Sequence, residues 1–161
     1  MFRVTAEYDG QIEVGVGAEE AREFFNEPRN FVELMTGVEA IDELPEGNRR
    51  WTISAAVPVI SSIKQRFIVA KTEDTPERIE WSPAPGEVGN LLRYTAVITS
   101  QGERRTRVSI SQKVEVRREK ASELHMMAGW VGEERISREM QRGVTAMMSE
   151  FMRKAKERLR G

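Results

Sequence analysis

The chain contains no cysteine and a single histidine, His125. Without thiols there are no disulfides, no thiolate metal sites and no requirement for an oxidising compartment. One imidazole alone cannot assemble a structural zinc site, so neither a metal nor a cofactor is expected. No apolar run approaches 18 residues, and the opening MFRVTAEYDGQIEV lacks the basic segment and apolar block of a secretory leader. The expected product is a soluble, cytoplasmic protein with no integral membrane segment. Nowhere does a polybasic run interleave with aromatics, which argues against nucleic acid. Gly15-Val16-Gly17 lacks the third glycine and the strand-helix-strand context of a dinucleotide site and reads as the start of a helix. No Ser-His-Asp constellation can be assembled, so no catalytic residue is assigned. A general base needs no second histidine, so His125 beside a ligand cavity stays open as the lesser reading, with no orienting carboxylate near it except Glu123, two positions earlier on a different helical face.

Charge is plentiful but unevenly placed. Residues 1–48 hold 12 acids and 3 bases, a balance of −9, and the remainder carries +8. The acids are scattered and the late cations cluster at helical spacing, which reads as solvated surface. At 161 residues the chain is expected to form one domain, 1–161, large enough for a proper core.

The strongest periodic signal is the last stretch, Glu133 to Leu159. Ile136, Met140, Val144, Met147, Met148, Phe151, Ala155 and Leu159 recur at three- and four-residue steps, and Arg138, Arg142, Arg153, Lys156 and Arg160 take the opposite side. Such a helix spans a small domain and needs a large apolar partner. The preceding sequence supplies one as strands. Val4, Ala6, Tyr8, Ile12 and Val14 alternate along Arg3–Val14, with Asp9-Gly10 a candidate bulge or bend rather than a hairpin tip. Two short helices follow, Val16–Phe25 stopped by Pro28, and Arg29–Met35 ended by Thr36-Gly37.

Strand patterns then run to Arg118: Val38–Leu44, Arg50–Val57, Ile63–Thr72, Arg78–Ser82, Leu91–Ser100 and Arg105–Arg118, antiparallel with one wet and one dry face. Residues 57–62, apolar but broken by Pro58, read as a loop or edge. Glu119–Gly132 reads as a short helix or lid, weakened by Gly129 and Gly132.

This order, with Ile12-Glu13-Val14 leading into Ala18–Phe25, then Pro28-Arg29-Asn30-Phe31, Leu34–Glu39, Pro76–Trp81, Tyr94–Ile98 and Thr106–Ile110, resembles the START-like, or Bet v 1-like (SRPBCC), superfamily. That superfamily includes bacterial polyketide cyclase/dehydrase and lipid-transport proteins. The resemblance implies an α+β helix-grip fold: a seven-stranded antiparallel sheet wrapped around the long C-terminal helix, two short helices after strand 1, and an apolar cavity between sheet and helix. It also implies a small hydrophobic ligand such as a lipid, quinone or polyketide-like compound, and transfers no universal catalytic motif.

The inward phases identify the candidate cavity residues: Trp51, Gln65, Phe67, Trp81, Tyr94 and Gln112 from the strands, with Met140, Val144, Met147, Met148 and Phe151 from the helix. Methionine suits an adaptable wall and equally a plain core. Gln65 and Gln112 are the informative pair. A buried amide without partners costs about 1–3 kcal/mol, so each requires a ligand, a water, another side chain or a bulge that turns it outward. Tyr94 and Thr106 share the inward phase and could add hydroxyls to the cavity. His125, Met127 and Trp130 are the candidate lid, with docking on the sheet the plainer role for Trp130. The leading expectation is binding or transport of a hydrophobic ligand. The alternatives are a cyclase/dehydratase-type enzyme, which needs an ionisable group inside the cavity, and an assembly or recruitment protein acting through its surface, with a protein partner or a homodimer.

Overall fold

The alternation of apolar and polar residues is realised as one antiparallel sheet with a dry concave face and a wet convex one. The computed structural model describes residues 1–57 and 61–161. In chain order the elements are β1 Phe2–Val14, α1 Ala18–Asn26, α2 Pro28–Leu34, β2 Val38–Glu43, β3 Arg49–Val57, β4 Ser61–Asp74, β5 Arg78–Pro83, β6 Asn90–Gly102, β7 Arg105–Arg118, α3 Ala128–Val131 and α4 Glu133–Arg158. The strands lie in the order β1-β7-β6-β5-β4-β3-β2. Around α4 this makes the helix-grip architecture, with α1 and α2 following the first strand.

β1 is an edge strand, and its exposed N–H groups need partners. They find them on α4. Glu133, Ser137 and Gln141 stand four residues apart on one side of the helix. They accept from the backbone N–H of Arg3, Thr5 (3.1 Å) and Glu7 (2.8 Å), and the Gln141 amide returns a bond to the Glu7 carbonyl at 2.6 Å. Two strand residues advance about 6.7 Å and four helix residues about 6.0 Å, so the two periods stay in step over three contacts. At the far end the Gly15 N–H donates to the Leu159 carbonyl at 2.6 Å. A Cβ on Gly15 would lie 2.3 Å from the Arg160 carbonyl oxygen, so only glycine allows this approach.

Asp9-Gly10 is not a bulge. Pairing of β1 with β7 runs without a shift from Phe2↔Arg118 to Val14↔Thr106. Gly10 instead makes room for the Tyr8 ring, whose hydroxyl would lie 2.2 Å from a Cβ there. The loop or edge expected at 57–62 is narrower than its span: Val57↔Ser61 and Ala56↔Ser62 pair as ends of β3 and β4, and residues 58–60 lie outside the described residues. Glu119–Gly132 holds a 3-10 turn at Ala121–Glu123 and then the short helix expected there, α3, which ends before Gly132.

The C-terminal half of α4 is packed solid. Phe151 stacks on Phe31 with centroids 5.0 Å apart and meets Phe25 edge-on at 6.1 Å. Met148, Met152, Ala155 and Leu159 are buried beside them. Met152 lies outside the expected stripe and is buried because the helix is covered over a wider arc than one flat sheet face would give. The Tyr94 hydroxyl donates to the Phe25 carbonyl at 3.1 Å and the Thr106 hydroxyl to the Val16 carbonyl at 2.8 Å, tying down both ends of α1.

Two glycine substitutions should separate these roles in urea unfolding. Gly15→Ala is expected to lose about 1–3 kcal/mol through its clash with the Arg160 carbonyl. Gly143→Ala, in α4 with nothing within 4 Å of its Cβ, should gain up to about 1 kcal/mol.

Candidate functional site

Where the aromatic packing stops, the sheet and α4 part. The N-terminal half of the helix stands off the concave face and leaves a cavity of about 360 Å³. Ile136, Met140, Val144 and Met147 form its helix wall. Opposite stand Ile53, Ile63, Gln65 and Phe67 from β3 and β4, and Gln112, Val114 and Val116 from β7. Val4 of β1 and Leu124 of the 119–132 segment complete the inner surface. Thr36, Gly143, Ala146 and Glu150 line the same space and are solvent-exposed, which marks its mouth between the α2–β2 turn and the middle of α4. The lining is predominantly apolar, and the two glutamines are its interior amides.

Six of the candidate residues, Gln65, Phe67, Gln112, Met140, Val144 and Met147, meet around this space. The other five do not. Met148 and Phe151 belong to the filled half, because α1 and α2 push Phe25 and Phe31 against that end of the helix. Trp51 joins the same cluster, 5.3 Å from Phe31 and 6.5 Å from Tyr94. Tyr94 is fully buried with its hydroxyl committed to Phe25, and burial pushes its pKa far up, so it remains a protonated donor to backbone. Thr106 is likewise committed to Val16 and gives nothing to the cavity. Trp81 is packed away from the space, under the Arg49 guanidinium at 4.3 Å and the Lys71 ammonium at 5.2 Å.

The candidate lid residues lie outside the lining as well. Trp130 is 89% exposed and neither covers the cavity nor docks on the sheet, and Met127 is also exposed. The His125 ring accepts the Met127 N–H through Nδ1 at 3.0 Å, a local turn contact. Leu124 is the member of this segment that reaches the cavity wall.

The two glutamines have different surroundings. Gln65 Oε1 accepts from the Arg118 guanidinium at 2.8 Å and from the Asn90 amide at 2.9 Å. Arg118 also donates to Asn90 Oδ1 at 3.0 Å and to the carbonyls of Gly89 (3.0 Å) and Arg117 (2.7 Å), all neutral acceptors. A guanidinium can only donate, so it fixes which face of the Gln65 amide it meets. Asn90 and Arg118 escaped notice in the sequence although both continue the inward phase, Asn90 before Leu92 and Arg118 after Val116. Gln112 is 2% exposed, and neither its Oε1 nor its Nε2 has a partner among the described residues.

Glu150 is the sole ionisable side chain lining the cavity among the described residues; it stands at the mouth and pairs with Lys154 at 3.0 Å. No cluster of potential metal ligands occurs among the described residues, and no helix is long and apolar enough to cross a membrane.

No protein-family model matches the chain, and no curated protein matches it in sequence. Solved structures match it in shape. The Zhui aromatase/cyclase from Streptomyces sp. R1128 superposes with a TM-score of 0.64 at 13% identity, covering 98% of this chain and 97% of that one. A Deinococcus radiodurans protein gives 0.58 at 18% identity over 96% and 98%. A START superfamily protein from Mycobacterium smegmatis gives 0.52 at 16% identity over 86% and 97%. At these identities the likeness establishes the fold alone: the chain shares the helix-grip fold of these structures.

The Arg118 cluster is open to a direct test. Arg118→Met leaves Asn90 Oδ1 without its donor and Gln65 Oε1 with the Asn90 amide alone, and should cost about 1–3 kcal/mol in urea unfolding. Adding Gln65→Met should recover part of that loss, a coupling that independent sites would not show.

Proposed function

We propose that this protein binds a small hydrophobic molecule, of the lipid, quinone or polyketide-like kind, in the cavity between the sheet and the N-terminal half of α4, as a binding or carrier module. The observation that carries the reading is the cavity itself. Its volume of about 360 Å³ falls within the roughly 300–1,000 Å³ typical of small-molecule sites, and its lining is apolar with a few polar groups, as such sites are. Met140 and Met147 give the helix wall side chains that re-pack around different shapes. The fold shared with an aromatase/cyclase and a START protein supports a hydrophobic ligand as a class, by analogy.

Carriage is favoured over catalysis by the chemistry of the lining. General acid–base work needs a titratable group within hydrogen-bond reach of the substrate. The interior offers amides, and the one carboxylate that lines the cavity among the described residues is the exposed Glu150.

The neutral fluorescent probe N-phenyl-1-naphthylamine should brighten on binding wild type, and native mass spectrometry or solvent extraction of freshly purified protein should release a hydrophobic ligand. Val144→Phe, which projects a ring into the space, should weaken probe binding at least tenfold while leaving the fold intact by circular dichroism. A wild type that takes up no probe and yields no extractable ligand, or a Val144→Phe variant that binds the probe unchanged, would overturn this function.

A further inference from the structure

Resting on that reading, we infer that the ligand carries a neutral polar group presenting a hydrogen-bond donor and an acceptor side by side, as a primary amide, a lactam or an un-ionised carboxyl does, and that Gln112 holds it by a two-point pair. Gln112 lies on the inward row of β7 between Ile110 and Val114, lines the cavity and is 2% exposed. Both ends of its amide lack partners among the described residues. An unmet donor and an unmet acceptor on one planar group define the complement: a second planar group with acceptor and donor adjacent.

The protein's own groups do not meet this need. The lateral neighbours of Gln112 in the sheet are Tyr8 on β1 and Tyr94 on β6. Tyr94 directs its hydroxyl to the Phe25 carbonyl, and the Tyr8 ring folds over Gly10. Across the cavity the helix offers Met140 and Val144. Gln65 is too far to help. Its amide is tied to Asn90, which pairs with Val116, and Val116 lies four residues along β7 from Gln112, about 13 Å. The facing Met140 and Val144 offer a water on Gln112 no further hydrogen bond, whereas buried waters keep about two to four. The one charge on the lining among the described residues, Glu150, stands at the exposed mouth and is paired with Lys154, so a charged group at Gln112 would be desolvated without a counter-charge beside it and the complement is neutral.

The test uses isothermal titration of the full chain with 2-naphthamide and with methyl 2-naphthoate, which shares the ring and the carbonyl but has no donor. The ester is the more apolar of the two and would bind better on hydrophobicity alone. Wild type should instead prefer the amide by about tenfold or more, the consequence of leaving a buried donor or acceptor unmet. Gln112→Leu should erase that preference while keeping its affinity for the ester within about threefold. The ligand-free variant should melt no lower than wild type, because an unpartnered amide has been removed. Gln112→Met provides the same readings should the branched side chain pack poorly. Equal binding of the two probes to wild type, a preference that survives Gln112 substitution, or ligand-free variants that both melt below wild type would overturn the inference and leave the cavity's role standing. Failure of both probes to bind wild type would count instead against the cavity as a ligand site.

Discussion

The structure depends on a match of periods between one strand and one helix. β1 has β7 on one side only, and an edge strand must either be capped or invite another chain. Here α4 caps it with Glu133, Ser137 and Gln141, one side chain per helical turn against every second backbone amide. At the other end the Leu159 carbonyl receives the Gly15 N–H. From Arg3 to Gly15 a strand covers about 40 Å, and from Glu133 to Leu159 a helix covers about 39 Å. The helix is thus registered against the edge strand by polar contacts over its first turns and at its C-terminal end, and its apolar stripe is left free to face inward.

That registration is what permits a cavity. A helix held only by burial of its apolar face would settle until the space beneath it closed, since each empty volume forfeits dispersion contacts. Side-on anchoring to β1 sets its height, and the aromatics of α1 and α2 fill only the C-terminal half. The interface therefore divides: Phe25, Phe31, Phe151 and Met148 form solid core, while Met140, Val144 and Met147 look across open space at Gln65 and Gln112.

The two inward glutamines show how the same cost of burial is met in different ways. Gln65 sits where β6 passes β4 and is absorbed into a cluster with Asn90 and Arg118, whose cation, among the described residues, is held by neutral oxygens and paired with no carboxylate. Gln112 sits midway along β7, where both neighbouring tyrosines are otherwise engaged, and it keeps its hydrogen-bonding capacity free toward the cavity. A polar residue that costs stability in the empty protein is a candidate for a role in the occupied one.

The sequence by itself determined the elements, their order and which residues face inward, because strand and helix periods are local properties written in alternation and in three- and four-residue steps. The stripe from Ile136 to Leu159 and the inward row Thr106–Val116 are buried or line the cavity as their spacing required. Asn90 and Arg118 continue the inward phase of β6 and β7 beyond their apolar residues, and their polarity masks it. Periodicity states that a residue faces the interior but not what stands opposite. Only the tertiary structure decided that Trp51, Trp81, Tyr94, Met148 and Phe151 are core, that Trp130 is exposed, and that among the described residues Gln65 has a partner where Gln112 has none. Those outcomes depend on the height of α4 above the sheet and on which end α1 and α2 fill, and both are set by contacts between residues more than a hundred positions apart.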